Sequence, residues 1–294
     1  MLPFKPISLA DREAFNKYFY NAPDRGCEYS FANLYIWQGI YNTVSLVVEG
    51  FLFVRFQEDV QSYLFPVGEG DLAAAINTVI ADCEERGVPF HMVVSREEDK
   101  QQLETLFPGR FSFESNRDYG EYIYSAADLI ELKGKKFHAK RNHFSRFMKT
   151  YPDHAFEDIT PENVEEVIAF NDRWYDAFSE GEEGLAEERT ASRIALTEMQ
   201  AIGLSGGLVR VDGQVQAFAL GSAINKDTFC VHIEKANYDI VGSYPAVNRM
   251  FAERFCKDCA FINREEDLGD EGLRKAKLSY HPVKITEKYV VVLK

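Results

Sequence analysis

Residues 208–221, LVRVDGQVQAFALG, place an Asp-Gly pair between two runs of alternating apolar residues. Asp212 and Gly213 suit the positive φ angles of a two-residue turn, so this stretch predicts a β-hairpin. Two helical patterns precede the hairpin, at 161–178 and 187–203. The patterns that follow it are strands at 227–236, 261–265 and 288–293 and helices at 245–258 and 270–280. Together they predict an α/β unit with a mixed sheet.

The first part of the chain predicts the same order of elements. Two helical patterns precede a hairpin pattern at 43–56. A helix at 71–87, with Asp71 as N-cap and Gly87 as C-cap, then alternates with strands up to Tyr124. The chain therefore repeats one architecture without obvious sequence identity between the two parts.

Two helices, three antiparallel strands and then alternating helices and strands form an order similar to that of the GNAT acyltransferase fold. We therefore predict an α/β fold (α+β mixed sheets) made of two tandem GNAT-like acyltransferase domains. The predicted domains are residues 1–130 and 153–294, and a basic helical linker at 131–152 joins them. Fold alone does not identify the chemistry.

The composition is that of a folded protein. The 294 residues suffice for two domains, 46% of them are hydrophobic, and no window approaches the roughly 18 apolar residues of a membrane span. The first residues lack a signal-peptide pattern, so we expect a cytoplasmic protein without an integral membrane segment. The net charge of -14 disfavours DNA as a partner.

Residues 133–149, KGKKFHAKRNHFSRFMK, contain seven Lys or Arg and no acid, whereas the rest of the chain has 26 basic and 47 acidic residues. Helical phasing predicts a buried stripe of Phe137, Phe144 and Met148, with Lys140 and Arg141 on its two sides. The two cations either snorkel beside this stripe or bind a phosphate of a ligand.

The strand at 227–236 is predicted to place Cys230, His232 and Glu234 on one face. Acyl transfer to an amine or hydroxyl needs a proton acceptor, for which Glu234 is our first candidate and His232 our second. The alternative is a polar strand end that pairs with nearby cations. Gly242 and Ser243 precede a helix, whose free amides either bind an anion or are capped in the ordinary way.

Lys277 and Tyr280 lie on the apolar face of the helix at 270–280. A lysine in that position needs a carboxylate partner, for which Glu234, Glu265, Glu266 and Asp267 are candidates, or it has a functional role. In the functional interpretation both residues line the acceptor site and Tyr280 is a general acid. We find no spacing that predicts a metal site.

Residues 122–147 and 265–289 resemble a family of bacterial proteins grouped with the C-terminal domain of phosphatidylglycerol lysyltransferases. Gly134-Lys135 with Arg141-Asn142 is similar to the GK…RN stretch of those enzymes. Residues 231–252 are similar to their strand, loop and helix over the substrate tunnel. The resemblance implies a tandem GNAT fold, transfer of an aminoacyl group from a charged tRNA, and substrate contacts from Asn142, Tyr244 and Asn248.

We therefore predict an acyltransferase or aminoacyltransferase that acts on an amine or hydroxyl acceptor. Its co-substrate is either an acyl-CoA or an aminoacyl-tRNA, and no tightly bound cofactor is expected. One alternative is a non-catalytic module that binds a phosphorylated ligand or RNA. Another is a small-molecule N-acetyltransferase that uses only the C-terminal half. The donor, the acceptor and the oligomeric state are open at this point.

Overall fold

The computed structural model describes residues 2–23, 26–57, 60–178 and 183–294. Its strands are β1 Lys5–Pro6, β2 Val44–Val48, β3 Phe51–Gln57, β4 Gln61–Leu64, β5 Val67–Gly68, β6 His91–Val94, β7 Phe111–Ser115, β8 Tyr122–Ser125, β9 Ala155–Asp158, β10 Ser205–Val211, β11 Gln214–Ala223, β12 Thr228–Ala236, β13 Phe261–Asn263, β14 Lys284–Ile285 and β15 Tyr289–Leu293. Its α-helices are α1 Arg12–Phe19, α2 Phe31–Tyr41, α3 Leu72–Arg86, α4 Glu97–Leu106, α5 Ala126–Glu131, α6 His138–Thr150, α7 Val164–Phe178, α8 Glu183–Thr197, α9 Met199–Ile202, α10 Ser243–Phe255 and α11 Glu271–Leu278.

These elements form two mixed sheets. The first has the order β1-β2-β3-β4-β6-β15-β7, with β5 paired to β3, and the second has the order β14-β8-β13-β12-β11-β10-β9. Each sheet contains a parallel pair, β4 with β6 and β12 with β13, among antiparallel neighbours. The α/β fold class predicted from the element order is therefore confirmed.

The hairpin of β10 and β11 in the second sheet forms as the sequence predicts. Asp212 and Gly213 have φ angles of 51° and 75°, and the strands on either side of them pair in antiparallel register. Asp71 accepts a hydrogen bond from Ala74 N, and Gly87 ends α3 with a left-handed conformation. These turns and caps are local, which explains why the sequence alone identifies them.

The division between the sheets differs from the predicted division at residues 131–152. Strand β8 precedes that segment but pairs in the second sheet, beside β13 and β14. Strand β15 ends the chain but lies between β6 and β7 in the first sheet. Each sheet thus contains a strand from the other part of the chain. Pairing on both sides satisfies the backbone hydrogen-bonding groups that an exposed sheet edge would leave open. Hydrophobic periodicity identifies a strand but not its partner.

The two parts of the chain also share a core. Phe31, Leu34 and Ile36 of α2 belong to the same buried cluster as Phe218 of β11 and Ile233 of β12. A shared core of this kind holds the two sheets in a defined relation. Among the described helices, none has the length and hydropathy needed to cross a membrane.

Candidate functional site

The candidate site lies where β12 and β13 stop pairing. These parallel strands pair over Thr228–Cys230, after which β12 runs on to Ala236 while β13 ends at Asn263. The residues just beyond this pairing bring charged side chains into the space between the strands. The ends of neighbouring parallel strands are a frequent place for ligand sites in α/β folds.

A β-bulge changes the alternation of β12 at His232. Leu220 pairs with Ile233 but Gly221 pairs with Val231, so His232 is an extra residue in the ladder. Val231 therefore packs in the cluster beside α10, whereas Ile233 packs in the cluster shared with α2. Bulges of this kind reorient side chains near functional sites.

Because of the bulge, the predicted common face of Cys230, His232 and Glu234 is wrong. Glu234 points to the α10 side, where Asn248 contacts it. His232 points to the opposite side together with Cys230, and both contact Glu265. Side chains do not alternate regularly between the two faces of a strand across a bulge. The two candidate proton acceptors, Glu234 and His232, therefore lie on opposite faces of β12.

Glu234 is held by two polar partners. Arg264 Nη2 donates to Oε1 over 3.0 Å, and Asn248 Nδ2 donates to Oε2 over 2.9 Å. Asn248 is 4% exposed, and its Oδ1 is buried with no hydrogen-bond donor among the described residues. A buried acceptor without a donor is costly unless a ligand or water supplies one. Asn248 Oδ1 is therefore suited to receive an N–H or O–H group beside Glu234.

Lys140 joins this group from α6. Its Nζ lies 3.9 Å from the centroid of the Tyr280 ring, and it is close enough to Glu234 and Arg264 to interact with their charges. Burial and the charge of Arg264 lower the pKa of Lys140, Glu234 opposes them, and the resulting pKa is about 8. The ammonium group is consequently near its titration midpoint at mildly alkaline pH.

Arg264 and Tyr280 complete the site. Burial by itself would lower the pKa of Arg264, but Glu234, Tyr124 and Tyr280 outweigh it and raise that pKa, so the guanidinium stays charged. Burial raises the pKa of Tyr280, which keeps its hydroxyl protonated. With Glu234 ionised, Arg264 and Lys140 leave the group with a net positive charge. We define Glu234, Asn248, Arg264, Lys140 and Tyr280 as the Glu234 site.

Lys277 has a structural position beside this site. Its Nζ donates to the carbonyl oxygens of Arg264, over 2.7 Å, and Glu266. The direct hydrogen bonds of Lys277 thus go to backbone carbonyls, while the charges of Glu265, Glu266 and Asp267 act on its ammonium group without a direct hydrogen bond and favour a higher pKa. Burial, with a contribution from Arg264, outweighs these charges and lowers the pKa of Lys277. This lysine fixes the segment that carries Arg264 rather than lining the space around Glu234.

Arg141 and Asn142 do not contact Glu234, and their predicted binding of a ligand stays a prediction. Arg141 Nη1 donates to the carbonyl oxygens of Leu132 and Gly134, so its charge closes the turn before α6. Asn142 is exposed, and its Nδ2 lies 3.4 Å from His138 Nδ1 on the same helix. Of the two cations that flank the predicted stripe, Lys140 alone joins the Glu234 site.

The buried face of α6 also differs from the predicted stripe. Phe137 and Phe147 are fully buried, Phe144 is half-buried, and Met148 is 37% exposed. The 3-10 turn at Lys135–Phe137 precedes the α-helix, so Phe137 does not follow the α-helical phase of the residues after it. The predicted and observed buried positions near the end of α6 differ by one residue, so that Phe147 is buried in place of Met148.

The start of α10 resembles the second of its two predicted alternatives, a helix start whose amides are satisfied within the chain. Ser243 N and Ala246 N donate to Ile240 O and Gly242 O, and Pro245 has no amide hydrogen. The Ser243 hydroxyl donates to Asn237 O over 2.7 Å. Most donors of the first turn are therefore engaged or absent, and few are left for a phosphate.

Gly242 and Tyr244 have packing roles at this helix start. Gly242 has a φ of 81°, and a Cβ on it would lie 2.7 Å from His143 O, so the glycine allows α10 to approach α6. Tyr244 packs on Tyr238 with ring centroids 5.1 Å apart. Burial, with the hydrogen bond to Tyr238, raises the pKa of Tyr244, and the charge of Glu234 adds to this effect. Tyr244 therefore borders the Glu234 site.

Arg264 is the residue that sequence reasoning missed. Arg264 lies in a short predicted strand, and no spacing connects it with Glu234, thirty residues earlier. The one sequence feature that points to Arg264 as a partner of Glu234 is its position near the end of the next predicted strand, residues 261–265. The fold also brings together three residues of the types that bind metal ions, although their spacing in the sequence matches no metal-binding motif. Donor atoms of Cys230, His232 and Glu265 lie within 4.8 Å of one another.

Several known proteins are similar to this chain. A solved structure of a conserved protein of unknown function from Bacteroides thetaiotaomicron VPI-5482 is 43% identical, with a TM-score of 0.97 and coverage of 100% of both chains. L-PGS from Bacillus licheniformis has a TM-score of 0.69 at 14% identity, over 99% of this chain and 94% of that one. A tandem GNAT protein from the clavulanic acid biosynthesis pathway has a TM-score of 0.51 at 8% identity, over 100% and 98% of the chains.

Among curated proteins, an uncharacterised protein of Mycoplasmoides gallisepticum is 24% identical over 178 residues, which are 58% of this chain and 55% of that relative's length. The tandem GNAT-like fold predicted from the element order is confirmed by these structural likenesses. The family described as phosphatidylglycerol lysyltransferase, C-terminal, matches residues 20–292. The chain therefore belongs to the phosphatidylglycerol lysyltransferase C-terminal family.

Proposed function

We propose that the Glu234 site catalyses acyl or aminoacyl transfer to an amine or hydroxyl. Family and fold are those of acyl and aminoacyl transferases. The observation that carries the proposal is the position of Glu234, a carboxylate between Arg264 and Asn248 at the separation of β12 and β13. A carboxylate held in this way is a suitable proton acceptor next to a bound nucleophile.

In the proposed reaction, Asn248 Oδ1 accepts a hydrogen bond from the acceptor amine or hydroxyl and directs it toward Glu234. The nucleophile attacks the acyl carbonyl carbon while its proton passes to Glu234. The bond from that carbon to the leaving oxygen or sulfur of the donor then breaks, and the leaving atom takes up the proton that Glu234 had accepted, which restores the carboxylate. Lys140 and Arg264 supply positive charge for the carbonyl oxygen as it becomes negative.

The donor that we favour is an aminoacyl-tRNA. Lys140 lies on the same helix as Arg146 and Lys149, which are exposed, and Lys133 and Lys135 are exposed just before it. These exposed cations lie on, or just before, the helix that brings Lys140 to the Glu234 site, and such a basic segment suits a phosphate-rich donor. The start of α10 has few free amides for the pyrophosphate of an acyl-CoA.

The test compares charged tRNAs with a panel of acyl-CoAs, both for binding and for transfer to amine and hydroxyl acceptors. We expect binding of tRNA to weaken steeply with salt, by about 0.7–0.9 in log K per log unit of salt for each phosphate contacted. Replacing Arg146 and Lys149 together by Ala should reduce that slope. Binding without any transfer would favour the non-catalytic module, and binding of neither donor would contradict the proposal.

Lys140 should make transfer depend on pH. Because the pKa of Lys140 is lowered to about 8, the ammonium loses its proton as the pH rises through that value. If the charged form stabilises the carbonyl oxygen, the transfer rate falls above about pH 8. Lys140→Arg, which stays charged, should remove this alkaline decrease. A rate that rises through pH 8 in the wild type would instead assign proton acceptance to the neutral amine of Lys140.

A further inference from the structure

A second group of reactive side chains lies on the other face of β12. Ser222 Oγ, at the end of β11, is 2.8 Å from His232 Nε2, and His232 Nδ1 is 2.9 Å from Glu265 Oε1. The serine, imidazole and carboxylate thus form a continuous hydrogen-bonded series. This arrangement is that of a nucleophile, a general base and an orienting carboxylate.

Two backbone irregularities create this series. The β-bulge places His232 beside Ser222, on the face away from Glu234. Glu265 has a φ of 56°, in the left-handed region that residues other than glycine seldom adopt. Strain of this kind persists where the surrounding contacts enforce it, and it is concentrated at functional sites.

Glu265 is held in place from several sides. Asn33 Nδ2 donates to its Oε1 over 3.2 Å, and its own amide donates to Asn263 Oδ1 over 2.8 Å. The His232 side chain is 1% exposed and the Glu265 side chain is 21% exposed, so the imidazole is enclosed while the carboxylate is held by these hydrogen bonds. The carboxylate therefore determines which imidazole nitrogen carries the hydrogen, and leaves Nε2 to accept the proton of Ser222.

The serine end of the series reaches a cavity. Ser222 lines an open cavity of ≈ 490 Å³ together with Ser30 and the first residues of α2. Phe31 and Ala32, the first two residues of that helix, have amides without a carbonyl partner inside the helix. A helix start with such amides stabilises negative charge on an oxygen atom. The cavity thus has on its wall both Ser222, which contacts the base His232, and the start of a helix.

We propose that Ser222, His232 and Glu265 form a second catalytic site, which cleaves acyl esters. Ser222 Oγ attacks the ester carbonyl carbon and gives its proton to His232 Nε2. The bond to the alcohol oxygen breaks, and the alcohol leaves with that proton. Water then attacks the acyl-serine with His232 as base, which releases the carboxylic acid and restores Ser222. Water is the single co-reactant.

This site is independent of the Glu234 site. Arg264 and Glu265 are consecutive, but Arg264 pairs with Glu234 whereas Glu265 pairs with His232. The ester-cleaving site therefore neither requires nor excludes acyl transfer at Glu234.

The test is covalent labelling of the full chain with a fluorophosphonate, which reacts with an activated serine and releases fluoride. We expect one adduct per chain, located on Ser222 by peptide mass spectrometry. Ser222→Ala should abolish the adduct, and His232→Ala should slow its formation by about 100-fold or more. Ser115→Ala, at an exposed serine of β7, is the matched control and should label at the wild-type rate.

Ser30 provides the sharpest alternative, since its Oγ lies 3.0 Å from Ser222 Oγ and 3.4 Å from His232 Nε2. An adduct on Ser30 or any other serine, or no adduct, overturns the proposal. Glu265→Gln should slow labelling and Glu265→Asp should restore part of the rate, because an orienting role needs the charge. Equal rates for these two variants would contradict that role. Thermal unfolding of each variant separates loss of labelling from loss of the fold.

Discussion

Glu234→Gln is expected to lower the rate of acyl transfer by about 10²–10⁴-fold. The amide keeps the size of the side chain but does not accept a proton from the acceptor. The substitution also removes the negative charge of Glu234, whose Oε1 lies 3.0 Å from Arg264 Nη2. The measurement is the single-turnover rate with a saturating donor, so that a change in donor binding does not contribute.

The matched control for this variant is Glu253→Gln. Glu253 is exposed on α10, the helix that also carries Asn248, and we expect its variant to retain wild-type activity. Both variants should be compared by thermal unfolding, because Arg264 loses its charged partner in Glu234→Gln. A folded Glu234→Gln protein with the wild-type rate would exclude Glu234 as the proton acceptor. Transfer would then require another base, of which Lys140 is the nearest candidate.

Lys288→Met is expected to lower the free energy of unfolding by about 3–5 kcal/mol at neutral pH. Lys288 is buried just before β15, where its Nζ lies 2.5 Å from Glu28, 2.6 Å from Glu121 and 3.6 Å from Glu266. Burial by itself would lower the pKa of Lys288, but these carboxylates outweigh it and raise that pKa. Without the ammonium, buried carboxylates remain next to one another with no compensating charge.

The destabilisation by Lys288→Met should depend on pH. Burial raises the pKa of Glu121 to about 8 from an ordinary value of 4.5. Between these values the folded state binds a proton that the unfolded state has released, so the stability contributed by Glu121 declines as pH rises through 8. Loss of Lys288 raises this pKa further, and protonation at lower pH relieves the repulsion. We therefore expect a smaller destabilisation at about pH 5 than at about pH 8.

Urea unfolding of Lys288→Met at both pH values provides the measurement. Lys284→Met, at an exposed lysine in β14, is the control and should change stability little. An equal loss of stability at both pH values would show that packing, rather than unpaired charge, accounts for the effect. The same measurement shows how far Lys288 and the carboxylates around it stabilise the placement of β15 in the first sheet, because Lys288 directly precedes that strand.

Local patterns predict most of the elements of this protein. The hairpin at Asp212-Gly213 and the helix between Asp71 and Gly87 depend on turn and cap chemistry within a few residues. Such chemistry is readable without knowledge of the fold. The order of these elements is sufficient for the tandem GNAT-like fold, which the structural likenesses confirm.

The candidate sites were less accessible to the same reasoning. Glu234 was identified as an acid on a central strand, but its partner Arg264 and its separation from His232 were not. The bulge at His232 leaves no signature in the alternation of side chains, yet it sends Glu234 and His232 to opposite faces. Ser222 has no sequence context of a nucleophile, because its base lies on another strand and its orienting carboxylate lies in the segment after β13.

The amino-acid sequence by itself determined the helices, the hairpins, the α/β class and the basic segment at 133–149, because these depend on neighbours along the chain. Only the tertiary structure decided which strands complete which sheet and which side chains meet. Lys140 lies close enough to Glu234 to interact with its charge while Arg141 closes a turn, although the two are adjacent. Contacts between residues distant in sequence arise from packing of whole elements, and a shift of one residue redirects a side chain to the other face.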